Sequence, residues 1–160
     1  MCVKVGEQER LRLLKLISEH FDVNMYTGSN TSSMPLIHNC GYASSLVDMP
    51  LIFHESKINL NITAKSIRSG LSLRIFDVLG CGGFLITNFQ SELPDYFEIG
   101  KDLVTYESPQ DLLDKCSYYL KHEDERIEIA NNGYEKVKQF HTWDIRLVQL
   151  LQLAFPDIMN

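Results

Sequence analysis

The clearest hydrophobic pattern in the chain lies in residues 58–87. Apolar residues alternate with asparagines over residues 58–62, which predicts a strand. A polar loop over residues 63–72 follows, and the segment after it is apolar nearly all round, which predicts a buried helix ended by glycines. Residues 83–87 form a continuous apolar run, typical of a strand covered on both faces. Together they predict a right-handed βαβ unit.

Helical and extended patterns alternate along the rest of the chain. The predicted helices cover residues 7–20, 90–99, 109–120 and 123–140 and a last segment capped by Thr142, and the further predicted strands cover residues 21–27 and 103–106. Residues 34–57 have no clear pattern, although residues 49–53 fit either a short strand or a helix start. Alternating helices and strands indicate the α/β class with a mainly parallel sheet.

The periodicity also predicts which helix faces are buried. In the predicted helix over 109–120 this face is Leu112, Cys116, Tyr119 and Leu120, and over 123–140 it is Ile127, Ala130, Tyr134 and Val137. The Asn-Asn-Gly sequence at residues 131–133 could break the second of these helices.

The length of 160 residues is that of one domain, so we predict a single domain over residues 1–160. A helix directly before the first strand is unusual for a doubly wound domain. We therefore expect a strand before residue 1, in a longer protein of which this chain is part.

Composition narrows the classes of partner and the compartment. The net charge of −6 argues against a broad electrostatic grip on nucleic acid or an anionic membrane. The four cysteines are scattered without paired spacing, which predicts reduced thiols in a cytoplasmic protein and no zinc site. The sequence has no apolar run long enough for a transmembrane segment.

The loop before the central helix is the first candidate site. Free N–H groups and the helix dipole make a helix N-terminus an anion site, and Gly70 would allow a phosphate to approach the backbone. Alternatively, Gly70 only permits a turn and Ser72 only caps the helix. The candidate binding residues in this loop are Ser69, Gly70, Leu71 and Ser72.

Charged and amide side chains extend the candidate site. Arg74 could contact a phosphate and Asp77 a pair of hydroxyls, or the two could form an ordinary helical ion pair. Asn61, near the carboxyl end of the first strand, could point into the ligand cleft, or it could line a solvated face or bond a neighbouring loop. Lys57 precedes the same strand and is the last candidate.

Other site motifs are absent from the sequence. The histidines have no metal-binding spacing, and neither a Walker lysine motif nor a G-x-G-x-x-G after a strand occurs. The sequence assigns no catalytic residue.

Two stretches of the central segment point to a family. Residues 56–62, SKINLNI, and residues 72–83, SLRIFDVLGCGG, closely resemble the glycosyltransferase group 1 domain of CgeB-like spore-maturation proteins. That family's pattern is similar to S-K-I-N-L-N followed by S-x-R-x-F-E-x-x-A-C-G-G. Weaker matches extend the resemblance over nearly the whole chain, to the His141-Thr142-Trp143 ending.

The resemblance implies the C-terminal half of a GT-B glycosyltransferase, a Rossmann-like domain with extra C-terminal helices. In such enzymes this half binds a nucleotide-sugar donor, here of the UDP or GDP type, without a required metal or other cofactor. A facing N-terminal domain would complete the site, and the sugar would pass to a hydroxyl on a glycan, lipid or protein acceptor. This chain alone would be inactive.

The resemblance also implies residue roles. The helix start around Gly70 would hold the donor's diphosphate or sugar. Asp77 falls on the second glutamate of an E-x7-E pattern, whose carboxylate bonds the ribose hydroxyls, and Asp77 is one methylene shorter. Ser69 stands where the first glutamate of that pattern would be.

Two other functions fit the sequence. The changes at Ser69 and Asp77 could mark a non-catalytic module that binds a nucleotide or a protein. A flavodoxin-like or response-regulator-like domain ranks lowest, because the sequence lacks clustered acidic residues at predicted strand ends.

Overall fold

The computed structural model describes residues 2–64, 67 and 70–155. The helices are α1 (Cys2–Ser18), α2 (Asp48–Glu55), α3 (Leu73–Gly80), α4 (Leu93–Tyr96), α5 (Pro109–Tyr119), α6 (Glu123–Phe140) and α7 (Trp143–Ala154). The strands are β1 (Val23–Met25), β2 (Ile37–Asn39), β3 (Asn59–Asn61), β4 (Leu85–Asn88) and β5 (Val104–Tyr106).

The strands form two parallel sheets. β1 pairs with β2, and β3, β4 and β5 form a second sheet in that order. The predicted βαβ unit is β3–α3–β4, with Asn61 opposite Thr87 in the register. Helices pack against the sheets, so the predicted α/β class with mainly parallel strands is confirmed.

The central strand β4 lies at the heart of the core. Phe84, Leu85, Ile86 and Thr87 are all buried, as their continuous apolar run predicted. Helix α3 differs from its prediction. It buries Ile75, Val78 and Leu79, but Leu73 is 70% exposed, so the helix is not covered all round.

Two elements lie within or beside residues 34–57, where the sequence has no clear hydrophobic pattern. Residues 49–53 belong to helix α2, and the strand β2 over Ile37–Asn39 had not been predicted. Only Ile37 of that strand is buried, so its sequence carries little periodic signal.

The predicted faces of α5 and α6 are partly wrong. Leu120 and Ile127 are exposed, whereas Leu113 and Ile129 are buried. Helix α6 runs unbroken through Gly133, and a Cβ at this position would overlap the Asp102 carbonyl oxygen, so only a glycine fits the contact. That close approach sets the rotation of α6 on the core.

The residues before α5 and α7 differ in how they cap their helices. The Ser108 hydroxyl accepts the Asp111 N–H at 3.1 Å, with Pro109 in the first turn of α5. Thr142 occupies the position before α7 but makes no side-chain cap hydrogen bond. The described part of the chain contains no helix with the length and hydropathy needed to cross a membrane.

Burial of Cys116 predicts a pH dependence of stability. Burial raises the pKa of this thiol to about 11, so the folded state holds the proton above the pH at which the unfolded chain releases it. The free energy of unfolding should therefore fall by about 1 kcal/mol between about pH 7 and pH 10 through this group. Urea unfolding at both values measures the fall. Cys116→Ala should show a smaller fall; an equal fall in both proteins would contradict the assignment.

Candidate functional site

The carboxyl ends of β3 and β4 carry a set of buried polar side chains. Asn61 is 8% exposed, and its amide donates to the hydroxyls of Thr87 at 3.0 Å and Thr63 at 3.1 Å. The Thr63 N–H donates to the Asn88 side-chain oxygen at 2.7 Å. Asn61 therefore does not line a solvated face. It ties the end of β3 to its neighbour strand and to the loop that follows.

Asn59, on the same strand, has a structural role. Its side chain is buried and donates to the carbonyl oxygens of Phe53 at 2.9 Å and Phe84 at 3.2 Å. These bonds join α2 to the sheet and leave Asn59 out of the candidate site.

Gly70 is held by residues that follow β4. Its N–H donates to the Glu92 carboxylate at 2.9 Å, and its carbonyl accepts from the Gln90 amide at 3.2 Å. Its φ of +86° is a left-handed conformation that favours glycine. Apart from the chain neighbours of Gly70, no described residue has an atom within 4 Å of where a Cβ would sit, so the described part of the chain leaves space there.

Gln90 and Glu92 are not among the residues that the sequence pattern predicts for the site. Gln90 is buried, and its side-chain oxygen has no hydrogen-bond partner among the described residues. Both follow β4 at the sheet edge where parallel αβ folds place ligands, which is the signal that could have pointed to them.

Two backbone N–H groups at the start of α3 are already hydrogen-bonded to Ser72. The Ser72 hydroxyl accepts the Arg74 N–H at 3.3 Å, and its carbonyl accepts the Ile75 N–H at 3.0 Å. Ser72 is thus a helix cap, one of the two interpretations of this residue. Leu71 is half-buried and packs against the core cluster of α3. Ser69 lies outside the described residues.

Arg74 and Asp77 lie together on the exposed side of α3. The Arg74 Nη1 and the Asp77 Oδ2 are 3.8 Å apart, with side chains 48% and 55% exposed. The guanidinium also lies 5.3 Å from the centre of the Phe53 ring. An exposed pair at this distance is worth little to stability, so both groups can exchange partners with a ligand at small cost.

Lys57 is not brought together with the other candidates. Its side chain is exposed before the amino end of β3, whereas Asn61 is at the carboxyl end, about 13 Å along the strand at the usual rise per residue. Its backbone carbonyl accepts from Arg126 Nη1 at 3.1 Å.

The resulting arrangement suits an anionic ligand with hydroxyl groups. The start of α3 and Arg74 offer positive potential, and Asp77 offers an acceptor one turn further along. The Glu92 carboxylate already occupies the Gly70 N–H, so an anion bound there would have to displace it. Within the described ranges, no three His, Cys, Asp or Glu side chains are grouped closely enough to hold a metal ion.

Comparison with known proteins places the chain in a family. Residues 11–152 match the family model described as glycosyl transferase-like. The chain therefore belongs to the glycosyl transferase-like family. No curated protein matches it by sequence.

Solved structures share the fold. A glycosyltransferase from Rickettsia africae matches with a TM-score of 0.70 at 16% identity, over 94% of this chain and 44% of its own. HepE of Anabaena, solved in complex with UDP-glucose, matches with a TM-score of 0.69 at 12% identity, over 89% of this chain and 44% of the HepE chain. Sucrose-phosphate synthase from Thermosynechococcus elongatus matches with a TM-score of 0.69 at 13% identity, over 90% of this chain and 41% of the synthase chain.

These matches show which fold the chain has and how much of the larger solved proteins it covers. The chain has the Rossmann-like fold of the C-terminal domain of GT-B glycosyltransferases, as the resemblance implied. It spans less than half the length of the three solved proteins.

Proposed function

We propose that this chain is the donor-binding domain of a CgeB-like glycosyltransferase, and that the donor is a nucleoside diphosphate sugar. The family match supports the reaction class. The central SKINLNI and SLRIFDVLGCGG stretches support the CgeB-like subfamily. The complex of Anabaena HepE with UDP-glucose supports a UDP-type donor, with GDP as the other candidate.

One observation carries the proposal. Arg74 and Asp77 project from the first turns of α3, and the loop through Gly70 leads into this helix beyond the carboxyl end of β3. Ligands of open αβ sheets bind in this position. Arg74 is expected to contact the diphosphate, Asp77 the ribose hydroxyls, and the loop through Ser69, Gly70, Leu71 and Ser72 to border the diphosphate and sugar.

The reaction would break the bond between the sugar C1 and the diphosphate oxygen and form a bond from C1 to an acceptor hydroxyl oxygen. The diphosphate leaves with the electron pair, and the acceptor hydroxyl loses its proton. Arg74 and the positive end of α3 would offset the negative charge that grows on the diphosphate. On this scheme no metal ion is required.

The whole enzyme would need further parts. An N-terminal domain facing this one would bind the glycan, lipid or protein acceptor and exclude water, and the isolated chain would be inactive. The cysteines described as free, Cys40, Cys81 and Cys116, support a cytoplasmic location.

Binding without catalysis is the second candidate function. The Glu92 carboxylate at the Gly70 N–H and the Arg74–Asp77 pair show that groups expected to bind a donor already have partners within the domain. Such a module would bind a nucleotide, or a protein, without sugar transfer.

Calorimetric titration of the complete protein with UDP, GDP, ADP and NAD tests the proposal. Selective binding of one nucleoside diphosphate, followed by turnover of its sugar conjugate, is the expected result. Binding without turnover of any sugar conjugate would favour the non-catalytic module. No binding of any of the four would contradict a donor site.

Removal of the Asp77 carboxylate tests the ribose assignment. Because Asp77 is 55% exposed, Asp77→Ala should leave the fold intact and weaken binding of the nucleoside diphosphate by about tenfold. The same titration with the 2′,3′-dideoxy nucleotide is the control, since that ligand lacks the hydroxyls and should bind both proteins equally. An unchanged dissociation constant for the ordinary nucleotide would remove Asp77 from the site.

A further inference from the structure

Two side chains with oxygen acceptors meet at Gly70, just beyond the carboxyl end of β4. Glu92 Oε1 accepts the Gly70 N–H at 2.9 Å, and Gln90 Nε2 donates to the Gly70 carbonyl at 3.2 Å. Gln90 and Glu92 lie 20 and 22 positions from Gly70 along the chain. The fold therefore brings a carboxylate and an amide oxygen to the loop that leads into α3.

The Gln90 amide oxygen is a buried acceptor without a donor. Gln90 is 6% exposed, and none of the described residues donates a hydrogen bond to its Oε1. A buried acceptor left unpaired costs free energy, so such groups are rare in folded proteins and mark places where a water molecule or a ligand belongs. The unpaired oxygen indicates a hydrogen-bond donor that the described part of the domain does not supply.

The Glu92 carboxylate can accept further hydrogen bonds. An ionised carboxylate has about four lone-pair sites, and the Gly70 N–H fills one of them. Within the described ranges, no lysine or arginine forms an ion pair with Glu92. Glu92 is partly exposed and Gly70 is exposed, so a ligand can reach the carboxylate from solvent.

The charge of these acceptors selects the kind of ligand group. A carboxylate repels a phosphate, whereas a hydroxyl group donates to it in a short, strong hydrogen bond. The amide oxygen of Gln90 likewise accepts and does not donate. The group that satisfies both acceptors is an uncharged donor, and a sugar ring offers several hydroxyls close together.

Gly70 and Arg74 border the same open cavity. Four residue steps separate them, so their Cα atoms are at most about 14 Å apart. Asp77 lies on the other side of Arg74 along α3, with its Oδ2 3.8 Å from Arg74 Nη1. The chain thus presents acceptors, a cation and a second carboxylate in that order.

We propose that Glu92 and Gln90 recognise hydroxyl groups of the transferred sugar, with the Glu92 carboxylate and the Gln90 amide oxygen as the acceptors. The order of Gly70, Arg74 and Asp77 then matches the order of sugar, diphosphate and ribose in a nucleoside diphosphate sugar. This inference rests on the proposed donor-binding function and names the residues that select the sugar. A site built to bond a hydroxyl discriminates strongly against a ligand that lacks it.

Replacement of Glu92 by glutamine separates the sugar from the rest of the donor. The glutamine keeps an oxygen for the Gly70 N–H but loses the charge that strengthens a bond from a sugar hydroxyl. In calorimetric titrations of the complete protein, Glu92→Gln should weaken binding of UDP-glucose or GDP-glucose by about fivefold to tenfold. Binding of UDP or GDP should be unchanged or tighter. Asp95→Asn, the matched control, removes an exposed carboxylate three residues further along and should change neither affinity.

Sugar analogues that each lack one hydroxyl identify the direct contact. The singly deoxygenated conjugates of the selected nucleotide are titrated against the wild type, Glu92→Gln and Gln90→Leu. The analogue without the hydroxyl that Glu92 accepts should bind the wild type about fivefold to tenfold more weakly, and the difference between wild type and Glu92→Gln should nearly disappear. Gln90→Leu should show the same coupling with one of the analogues. A side chain that only holds the loop would weaken every analogue by the same factor.

Two results would overturn the sugar assignment and leave the donor site in place. One is an equal loss of diphosphate and sugar-conjugate affinity in Glu92→Gln, and the other is a constant ratio of wild-type to variant affinity across all deoxy analogues. Binding of neither UDP nor GDP by the wild type would instead contradict the donor function, and this inference with it. If circular dichroism shows that Gln90→Leu does not fold, the titrations of Glu92→Gln decide the result, since Glu92 is partly exposed.

Discussion

Replacing Arg74 by alanine is expected to weaken binding of a nucleoside diphosphate by about tenfold or more, while binding of the bare nucleoside changes little. Arg74 is the second residue of α3 and its guanidinium is half exposed, and hydrogen bonds to charged groups are worth about 1.5–3 kcal/mol. Titration calorimetry of both ligands against both proteins measures the difference.

Lys101 provides a matched control for Arg74. It also forms an exposed ion pair three residues away on its own segment, with Glu98 at 2.9 Å, but it lies before the amino end of β5. Lys101→Ala removes a similar charge from the opposite edge of the sheet and should leave both affinities unchanged. Equal losses for diphosphate and nucleoside in Arg74→Ala would rule out a phosphate contact.

Gly133→Ala is expected to destabilise the domain by about 2 kcal/mol or more. The added Cβ would overlap the Asp102 carbonyl oxygen and lie 2.8 Å from Leu79 Cδ2, inside the packed contact of α6 with α3. The gain in helix propensity, about 1 kcal/mol, is too small to offset that overlap. Urea unfolding of the two proteins measures the change.

Gly80→Ala is the control for this overlap. Gly80 is also a helical glycine at the contact of α3 with α6, but a Cβ there would meet Val137 Cγ1 at 3.5 Å, an ordinary contact. This variant should be neutral or stabilised by up to about 1 kcal/mol. Equal stability of Gly133→Ala and Gly80→Ala would show that the Asp102 contact does not constrain α6.

The sequence predicted the central unit because its signal is local. Alternation in β3, an apolar α3 ended by glycines and a continuous apolar β4 each occupy one short window, although α3 proved to be covered on one side only. Strand β2 was not predicted, because only Ile37 of its three residues is buried and the hydrophobic pattern is therefore weak. The orientation of α6 was mispredicted because Gly133, which has no hydrophobic side chain, makes the decisive contact with Asp102.

The candidate site likewise has a part that the sequence predicts and a part that it does not. Gly70, Ser72, Arg74 and Asp77 share one loop and one helix, so their proximity could be predicted from spacing alone. The bonds of Gly70 to Gln90 and Glu92 join residues about twenty positions apart, and a pattern within one window does not contain them.

Hydrogen-exchange mass spectrometry of the complete protein is the most direct test of where the donor binds. The nucleoside diphosphate that calorimetry selects is added at saturation, and exchange is compared with and without it. The account predicts slower exchange in peptides that cover Gly70 to Arg74 and in those that cover Gln90 and Glu92. Binding that protects other segments while these peptides exchange unchanged would contradict the assignment of the donor site to the start of α3.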